Sequence, residues 1–337
     1  MNFSKLENFL REIREPSYRL DQIKKAYCQN LATDFKHVTS LPEPLRQALE
    51  ENLLFDETEV VKLEASPDGK TIKNLLRLND GEVVESVLMK HPHWITVCLS
   101  TQVGCSLDCA FCATGALGFK RNLTPSEIYE QIVHWNRHLS KESKKVTHLV
   151  FMGMGEPFLN WNNLWESLKI IMDPEALGIG ERKISISTAG ITPRIKDFTA
   201  KNTQINIAVS LNAPTQAARE KIMPVAKTYP LPELLEACRE YVDQTKRKIF
   251  FEYVLVDKVN DSLEMAQKLT QILKKHYLYH LNLINLNKTC RQLEPATKER
   301  FAAFVETLKI NKVPFTIRQS YGSPLAAACG QLAGNKR

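Results

Sequence analysis

The sequence predicts an α/β fold, namely a partial (β/α)6 barrel preceded by a small N-terminal α+β accessory domain. From about residue 93 onward, short β-branched runs alternate with longer segments of helical periodicity, a pattern typical of parallel strands joined by right-handed crossovers. About six such units are present, fewer than the eight of a full barrel. Before residue 90 the pattern differs, because helical segments come first and strand-like runs follow.

The N-terminal domain is expected to span residues 1–90. Helical periodicity covers 3–13, 17–30 and 42–53, the last of which starts at Pro42. Two strand-like runs follow, at 59–63 and 71–78. Asp-Gly turns at 68–69 and 80–81 follow the first and the second run, respectively. This part is therefore expected to be a separate unit of mixed helix and strand.

The catalytic part is expected to span residues 91–337, ending in a loop that carries Cys329. Its predicted strands are 95–99, 148–152, 183–187, 205–211, 249–255, 281–286 and 315–318. Its predicted helices are 125–139, 161–172, 231–244, 262–276 and 296–309. The first of these helices has a strong start signal, since Thr124 can cap it, Pro125 suits its first position and Glu127 suits its third.

Composition restricts the compartment and the partners. The 337 residues carry a formal net charge of +7, a mild excess that permits a polyanionic partner without requiring one. Local basic groups at 120–121, 144–145, 246–248 and 274–275 are read as solvated surface charge. No apolar run is long enough to span a membrane, and the charged amphipathic N-terminus lacks a signal-peptide core. A cytoplasmic monomer without a membrane partner is expected.

Three cysteines with C-x3-C-x2-C spacing carry the strongest chemical signal: Cys105, Cys109 and Cys112. This spacing can wrap three thiolates around one face of an iron–sulfur cube and leave one iron open for chemistry. The alternative is a structural zinc site with Cys98, His91 or His93 as fourth ligand. Zinc sites usually pair their cysteines as two C-x2-C units, and the remaining cysteines here are isolated in sequence.

A glycine-rich turn follows the second predicted strand of the barrel, at residues 153–157 (GMGEP). Its glycines would let the backbone approach a ligand closely, and Glu156 could accept from an ammonium or a hydroxyl. An ordinary strand-to-loop turn is the alternative for this motif alone. Because strand carboxyl ends meet at one mouth of a barrel, this turn should lie near the cysteine loop.

Taken together, four strings resemble the RlmN/Cfr family of radical S-adenosylmethionine (radical-SAM) RNA adenine methyltransferases: 102–112 (QVGCSLDCAFC), 151–157 (FMGMGEP), 186–193 (ISTAGITP) and 328–334 (ACGQLAG). The similarity extends from about residue 16 to residue 334. Residues 15–23 (EPSYRLDQI) resemble that family's accessory RNA-binding domain. The resemblance implies a cytoplasmic enzyme that acts on RNA with a [4Fe–4S] cluster and S-adenosylmethionine, fed by a reductase such as flavodoxin.

The resemblance also assigns roles residue by residue. Cys105, Cys109 and Cys112 would hold the cluster. The positions that contact S-adenosylmethionine would be Gly155, Glu156, Ser187, Ser210, Leu211, Asn212 and Asn287. Cys329 would be methylated and carry the one-carbon unit to RNA. Cys98 would release the RNA–protein adduct by forming a disulfide bond with Cys329, and Glu85 would accept a proton.

The sequence departs from the family pattern at two places. Asn212 stands where members usually have His, and residues 323–326 lack the acidic residues usual before the catalytic cysteine. Pro157 and the segment 173–180 resemble the subfamily that methylates adenine C2 in 23S ribosomal RNA and, in some members, transfer RNA. The alternatives are Cfr-like methylation of C8 and a radical-SAM reaction on another RNA target.

Overall fold

The computed structural model describes residues 1–318 and 325–333. The first ninety residues form three helices and three strands: α1 (Phe3–Glu12), α2 (Tyr18–Cys28), α3 (Glu43–Asn52), β1 (Thr58–Ala65), β2 (Thr71–Leu78) and β3 (Val83–Lys90). The helices and the first two strands match their predictions. Strand β3 was not predicted, because it is buried on both faces and includes Glu85 and Ser86, so its sequence does not alternate between apolar and polar residues.

The middle of the chain contains the cysteine loop and the first crossovers. Its elements are β4 (Ile95–Cys98), β5 (Gln102–Gly104), α4 (Ala113–Ala116), β6 (Phe119–Asn122), α5 (Pro125–Ser140), β7 (His148–Phe151), α6 (Trp161–Met172), β8 (Ile184–Thr188), α7 (Thr192–Ala200) and β9 (Asn206–Ser210). Helix α5 begins with the expected capping box, in which Thr124 and Glu127 each bond the other's backbone N–H. The short helices α4 and α7 were not predicted from periodicity.

The remaining elements complete the alternation: α8 (Gln216–Ile222), α9 (Leu231–Thr245), β10 (Ile249–Leu255), α10 (Leu263–Leu273), β11 (Tyr279–Asn285), α11 (Lys298–Ile310) and β12 (Phe315–Ile317). Helix α8, of seven residues, is too short to show a periodic pattern and was also missed. No helix among residues 1–318 and 325–333 combines the length and the apolar character needed to cross a bilayer.

Ten strands of the described chain join in one sheet, in the order β1-β2-β3-β4-β7-β8-β9-β10-β11-β12. Strands β1 to β4 pair antiparallel, and every pairing from β4 to β12 is parallel. The predicted α/β barrel architecture is confirmed by the run of parallel strands with helical crossovers. Strand β3 pairs with β4 at Val87 and Cys98, so the sheet continues across residue 90.

The parallel register places the carboxyl ends of β4 and β7 to β12 at one edge of the sheet and their amino ends at the other. Residues 99–124 after β4, 152–160 after β7 and 189–191 after β8 therefore meet at the carboxyl edge, as do the segments after β9, β10 and β11. Apolar strand residues such as Val97, Leu149 and Ile186 are fully buried against the helices. The buried core thus fixes the positions at which the polar loops converge.

Candidate active site

A cavity of about 150 Å³ lies at the carboxyl edge of the parallel strands. Its walls come from five of the strand ends and from the cysteine loop. The lining residues predicted to be functional are Cys105, Cys109, Cys112, Gly155, Glu156, Ser187, Ser210, Asn212 and Cys329. The structure therefore brings together three motifs, the first and last of which are separated by more than 200 residues in sequence.

The cysteine loop is held by hydrogen bonds and an ion pair that need no metal. The backbone N–H of Cys105 donates to the Gly118 carbonyl at 2.9 Å, and that of Ala110 donates to the Ile222 carbonyl at 2.9 Å. Arg291 forms an ion pair with Asp108 and donates to the Cys112 carbonyl at 3.4 Å. The protein thus preorganises the loop that presents the three thiols.

The three thiols suit an iron–sulfur cluster by their chemistry and their placement. Soft thiolates are the ligands that such clusters prefer, and all three cysteines face the same cavity. Among the described residues, no three His, Cys, Asp or Glu side chains converge as the ligands of a single ion do. Burial raises the pKa of Cys105 to about 12 and that of Cys109 well above its usual value, so each thiol must lose a proton to bind iron.

The glycine turn after β7 lets the backbone pass close to the end of β4. A Cβ on Gly153 would lie 2.6 Å from the Leu99 carbonyl oxygen, and one on Gly155 would lie 2.5 Å from the Cβ of Gln102. Gly155 also has a φ of +98°, in the region that side chains rarely adopt. Both positions therefore need glycine to bring the turn against the cysteine loop.

Glu156 is a buried carboxylate at the wall of this cavity. Its oxygens accept from the backbone N–H groups of Ala189 at 2.7 Å and Phe158 at 3.0 Å. Burial raises the pKa of Glu156 to about 7 even though these hydrogen bonds lower it. A cation in the cavity would offset the cost of burying this carboxylate in its charged form. The ammonium group of an amino acid, such as that of S-adenosylmethionine, is a cation of this kind.

The ends of β8 and β9 supply another part of the cavity wall. Ser187, Ser210 and Asn212 line the cavity, whereas Leu211 is fully buried and is not among its lining residues in the described chain. Asn212 has a φ of +53°; its side-chain oxygen accepts from the N–H of Val254 at 2.9 Å, and its amide donates to the Met223 sulfur at 3.2 Å. Asn tolerates this left-handed conformation better than most residues, which gives a structural reason for Asn at this position.

The segment that carries Cys329 docks on the cysteine loop. The N–H of Ala113 donates to the Gly330 carbonyl at 2.7 Å, and the Thr114 hydroxyl donates to the Leu332 carbonyl at 2.7 Å. The predicted cofactor residue Asn287 is not among the described residues that line this cavity; its amide donates to the Cys329 carbonyl at 3.2 Å. Of the non-acidic stretch 323–326, residues 323 and 324 lie outside the described chain.

Cys329 lies where this first cavity meets a second one of about 600 Å³. Cys98 lines only the second cavity, whereas Met152, Glu252 and Ile284 line both, as does Cys329. Cys329 is exposed to these cavities, and the surrounding protein raises its pKa to about 11. All eight cysteines are free thiols, so the predicted disulfide between Cys98 and Cys329 is not present in this structure.

Cys329 lies close enough to Cys98 to affect its electrostatics. Burial, with a smaller contribution from the neighbouring Cys329, raises the pKa of Cys98 to about 12. The alternative role of Cys98, a fourth metal ligand, would place it with the three loop thiols. The structure instead places it beside Cys329 in the second cavity.

Glu85 is buried in β3 behind the Cys329 segment. Its carboxylate forms an ion pair with the buried Lys73, with 3.0 Å between Nζ and Oε1, and accepts from the N–H of Ala333 at 2.9 Å. It is not among the lining residues of either cavity within the described chain. The structure therefore links Glu85 to the segment of Cys329 through the backbone of Ala333.

Two arginines that shape the site were missed by the sequence analysis. Arg219, on the unpredicted helix α8, is fully buried and donates to the carbonyls of Ala189 at 2.6 Å, Leu211 at 3.2 Å and Ser210 at 3.3 Å. Arg291 holds the cysteine loop. Neither lies in a motif, and only the folded chain brings their guanidinium groups to these carbonyls.

Comparisons with known proteins agree with this geometry. Residues 99–269 match the Radical SAM superfamily. Proteins named as probable dual-specificity RNA methyltransferases RlmN from Lysinibacillus sphaericus and Carboxydothermus hydrogenoformans are 41% and 40% identical; each similarity covers 98% of this chain, and 87% and 96% of those proteins. A crystal structure of a radical SAM methyltransferase from Sphaerobacter thermophilus superposes with a TM-score of 0.95 at 39% identity, over 99% of this chain and 98% of that one.

Proposed function

The chain belongs to the RlmN family of radical-SAM RNA methyltransferases, and from this premise we propose that it methylates C2 of an adenine in 23S ribosomal RNA, and also in transfer RNA, through a methylated Cys329. The two named relatives are called dual-specificity RNA methyltransferases. The motifs of this chain resemble those of the family that carries out this reaction. The reaction requires a place for the cofactor, a place for the base and a thiol between them.

The position of Cys329 between the two cavities carries the proposal. The first cavity contains the three thiols and Glu156, and the second contains Cys98 and is wide enough for a nucleobase. A one-carbon unit on the Cys329 sulfur would therefore be accessible from both sides. This arrangement separates the chemistry that generates a radical from the base that receives the carbon.

The residues of the first cavity fit both cofactors. Cys105, Cys109 and Cys112 would hold a [4Fe–4S] cluster, and Glu156 would accept from the amino group of S-adenosylmethionine. When bound, the cluster would supply the electron that cleaves S-adenosylmethionine to a 5′-deoxyadenosyl radical. The buried Glu156 and the backbone of Gly155 would orient the cofactor in the cavity that the thiols also line.

Three side chains of the protein complete the reaction on adenine. Cys329 becomes methylated and holds the carbon while it is joined to the ring. Glu85, which forms an ion pair with the buried Lys73, accepts the ring proton after a local movement of the Cys329 segment. Cys98, as a thiolate, then attacks the Cys329 sulfur; the disulfide forms as the sulfur–carbon bond breaks, the electron pair of that bond stays on the carbon, and the carbon takes up a proton to become the methyl group of the released RNA.

The choice of C2 follows the sequence of the turn after β7 and of residues 173–180. Pro157 starts a short 3₁₀ helix and is buried, so it fixes the backbone beside Glu156.

Residues 1–90 form the accessory RNA-binding domain in this proposal, and residues 91–337 the catalytic domain. A flavodoxin-type reductase supplies electrons to a monomeric, cytoplasmic enzyme.

Anaerobic reconstitution with iron, sulfide, a chemical reductant, S-adenosylmethionine and RNA tests the proposal. We expect about four irons per chain and 2-methyladenine in 23S ribosomal and transfer RNA, identified by mass spectrometry. Cys329→Ala should retain the iron and lose RNA methylation, while Cys290→Ala, which removes an exposed cysteine, should behave as wild type. Wild-type methylation rates in Cys329→Ala would refute the mechanism, and 8-methyladenine or unmodified adenine would favour the two alternatives.

A further inference from the structure

The amino edge of the parallel strands is strongly basic. Six segments connect a helix to the next strand there: 141–147, 173–183, 201–205, 246–248, 274–278 and 311–314. Together they contain twelve Lys and Arg residues against four Asp and Glu residues. We call these segments the basic rim. Of their twelve cations, only Lys144 has an ion-pair partner among the described residues, which leaves the positive charge of the rim largely uncompensated.

The carboxyl edge, where the cysteine loop lies, is not basic. The five segments that follow β7 to β11 contain three Lys and Arg residues against four Asp and Glu residues. The helix dipole favours a cation near each helix carboxyl end, and those ends lie at the basic rim. That effect does not explain the exposed pair Arg182 and Lys183, which lie ten and eleven residues after the end of α6. The molecule therefore attracts a polyanion mainly at the amino edge.

An exposed aromatic group lies at the same edge. Trp94, 43% exposed in the turn between β3 and β4, stacks on His91 with 5.1 Å between ring centroids. The Trp94 ring also lies near His148, the first residue of β7, with 6.1 Å between the ring centroids. Burial lowers the pKa of both histidines, and the charge of Lys183 lowers that of His148 further, so both rings are neutral at pH 7. Neutral aromatic rings of this kind are a typical surface on which nucleobases stack.

The second cavity connects this aromatic group to the catalytic thiols. Its outer part is lined by His91, Trp94, His148, Arg182 and Lys183. Its inner part is lined by Cys98, Met152, Ala328 and Cys329. A group that enters between Trp94 and the two cations can therefore reach the sulfur of Cys329 without passing the cysteine loop.

Resting on the proposed function, we propose that the RNA approaches the amino edge, inserts the target adenine into the second cavity, stacks a neighbouring base on Trp94 and places phosphates on Arg182 and Lys183. The charge of the basic rim supplies the attraction for the RNA backbone. The exposed aromatic group around Trp94 selects a single-stranded region of the RNA, because only unpaired bases can leave their neighbours and stack on a side chain. S-adenosylmethionine and RNA then reach Cys329 from opposite edges of the sheet.

Binding of a fluorescein-labelled RNA hairpin with an adenine in its loop, followed by fluorescence anisotropy, tests the stacking surface. Trp94→Ala should weaken binding about 5- to 150-fold, the range expected for one lost base–aromatic stack. Trp94→Phe keeps a ring at this position and should bind within a few-fold of wild type. Equal affinity of wild type and Trp94→Ala, with both folded by circular dichroism, would overturn the proposal.

The charge contribution is tested by the salt dependence of the same binding. Arg182→Gln combined with Lys183→Gln should reduce the slope of log K against log salt by roughly 1.4, since each phosphate contact to a single strand contributes about 0.7. The matched control, Lys258→Gln with Lys298→Gln, removes two exposed cations from the carboxyl edge and should leave the slope unchanged. The reverse result would mean that RNA approaches from the carboxyl edge, and the proposal would be wrong.

Methylation of Cys329 separates this proposal from the proposed function, because it needs no RNA. Its mass increase in a proteolytic peptide should be the same in wild type, Trp94→Ala and the Arg182/Lys183 variant. Lost RNA binding with intact methylation of Cys329 supports the proposal. Wild-type RNA binding that depends on Trp94, without any methylation of Cys329, would contradict the proposed function and leave the RNA surface supported.

Discussion

At the residue scale, the site depends on polar groups that are buried and fully partnered. Glu156 accepts two backbone N–H groups, Asn212 joins the ends of β9 and β10, and Arg219 donates to several carbonyls at the ends of β8 and β9. Such groups are stable in the interior only while their hydrogen bonds are made. Their contribution to function is therefore to fix the walls of the first cavity before any ligand binds.

If Glu156 binds the ammonium group of S-adenosylmethionine as proposed, the affinity for this cofactor should depend on pH. Its pKa in the folded protein is about 7, above the 4.5 of a free side chain, and only the carboxylate attracts an ammonium. Wild-type affinity should therefore fall as pH drops below about 7. Glu156→Gln should bind about 10- to 150-fold more weakly at pH 8, as expected for one lost charged hydrogen bond, and show little dependence on pH.

Anaerobic calorimetry of the reconstituted protein measures this effect. Glu166→Gln, an exposed change on α6, serves as control and should follow the wild-type pH profile. A Glu156→Gln profile that keeps the wild-type pH dependence would show that another group titrates. The same raised pKa affects the stability of the free protein. As the pH rises from about 4.5 to 7, the free energy of unfolding should fall, because folded Glu156 holds its proton more tightly than unfolded Glu156 does.

Arg219 stabilises the fold as well as the site. Arg219→Met keeps a long apolar side chain but leaves the buried carbonyls of Ala189, Ser210 and Leu211 without this donor. We expect a loss of about 3–5 kcal/mol in the free energy of unfolding, as for other broken buried charged networks. Urea denaturation measures it. Arg239→Met, at an exposed position on α9, is the control, and equal midpoints for the two variants would refute this role.

At the scale of elements, the strongest local signals were read correctly and the weakest were not. Helix α5 has a capping box, and α6 has the predicted bounds 161–172. Helices α7 and α8, of nine and seven residues, are too short for periodicity to identify. Strand β3 is stabilised by its two neighbours in the sheet rather than by an alternating sequence, so only pairing with β2 and β4 defines it.

The capping box should contribute measurably to the stability of α5. Thr124→Ala removes the side-chain oxygen that accepts from the N–H of Glu127, and should cost about 1 kcal/mol of unfolding free energy. The matched change Thr307→Ala is at a half-buried position on α11, where the hydroxyl donates to the Ala303 carbonyl and to no other described residue, and should cost less. Chemical denaturation compares the two, and an equal loss would show that the cap is not stabilising.

At the scale of the whole molecule, one sheet joins the N-terminal part to the barrel. Residues 1–90 also contact α5: Trp135 donates to the Ser86 hydroxyl at 2.8 Å, and Phe3 stacks on Tyr129 at 5.5 Å between ring centroids. Glu130 accepts from the N–H of Glu57 at 3.0 Å in the same buried interface. These contacts predict that both parts of the chain unfold together.

Two probes test this cooperativity. All four tryptophans lie at positions 94 to 165, so fluorescence follows the barrel, while far-ultraviolet circular dichroism follows the whole chain. The two urea transitions should coincide. Leu76→Ala, in the buried centre of β2, should lower the free energy of unfolding by about 2–5 kcal/mol and so move both transitions to lower urea concentration. Leu54→Ala, at an exposed site, should move neither transition. A shift of Leu76→Ala in dichroism alone would indicate independent units.

The sequence by itself determined the family and the class of fold. Cysteine spacing, the glycine turn and the alternation of strands and helices are local patterns, and each has a physical cause that acts within a few residues. They were sufficient to identify the family and to predict the three thiols and Glu156 as site residues. The four local basic groups were read from sequence as ordinary surface charge, since charge alone does not say where it lies.

The tertiary structure decided which of these residues meet. Only the parallel register brings Cys329 to the junction of two cavities, places Cys98 beside it and not among the loop thiols, and gathers three of the four basic groups at the amino edge. It also positions Arg219 and Arg291, which no motif contains. These relations depend on contacts between segments distant in sequence, and burial and strand register, rather than local propensity, determine such contacts.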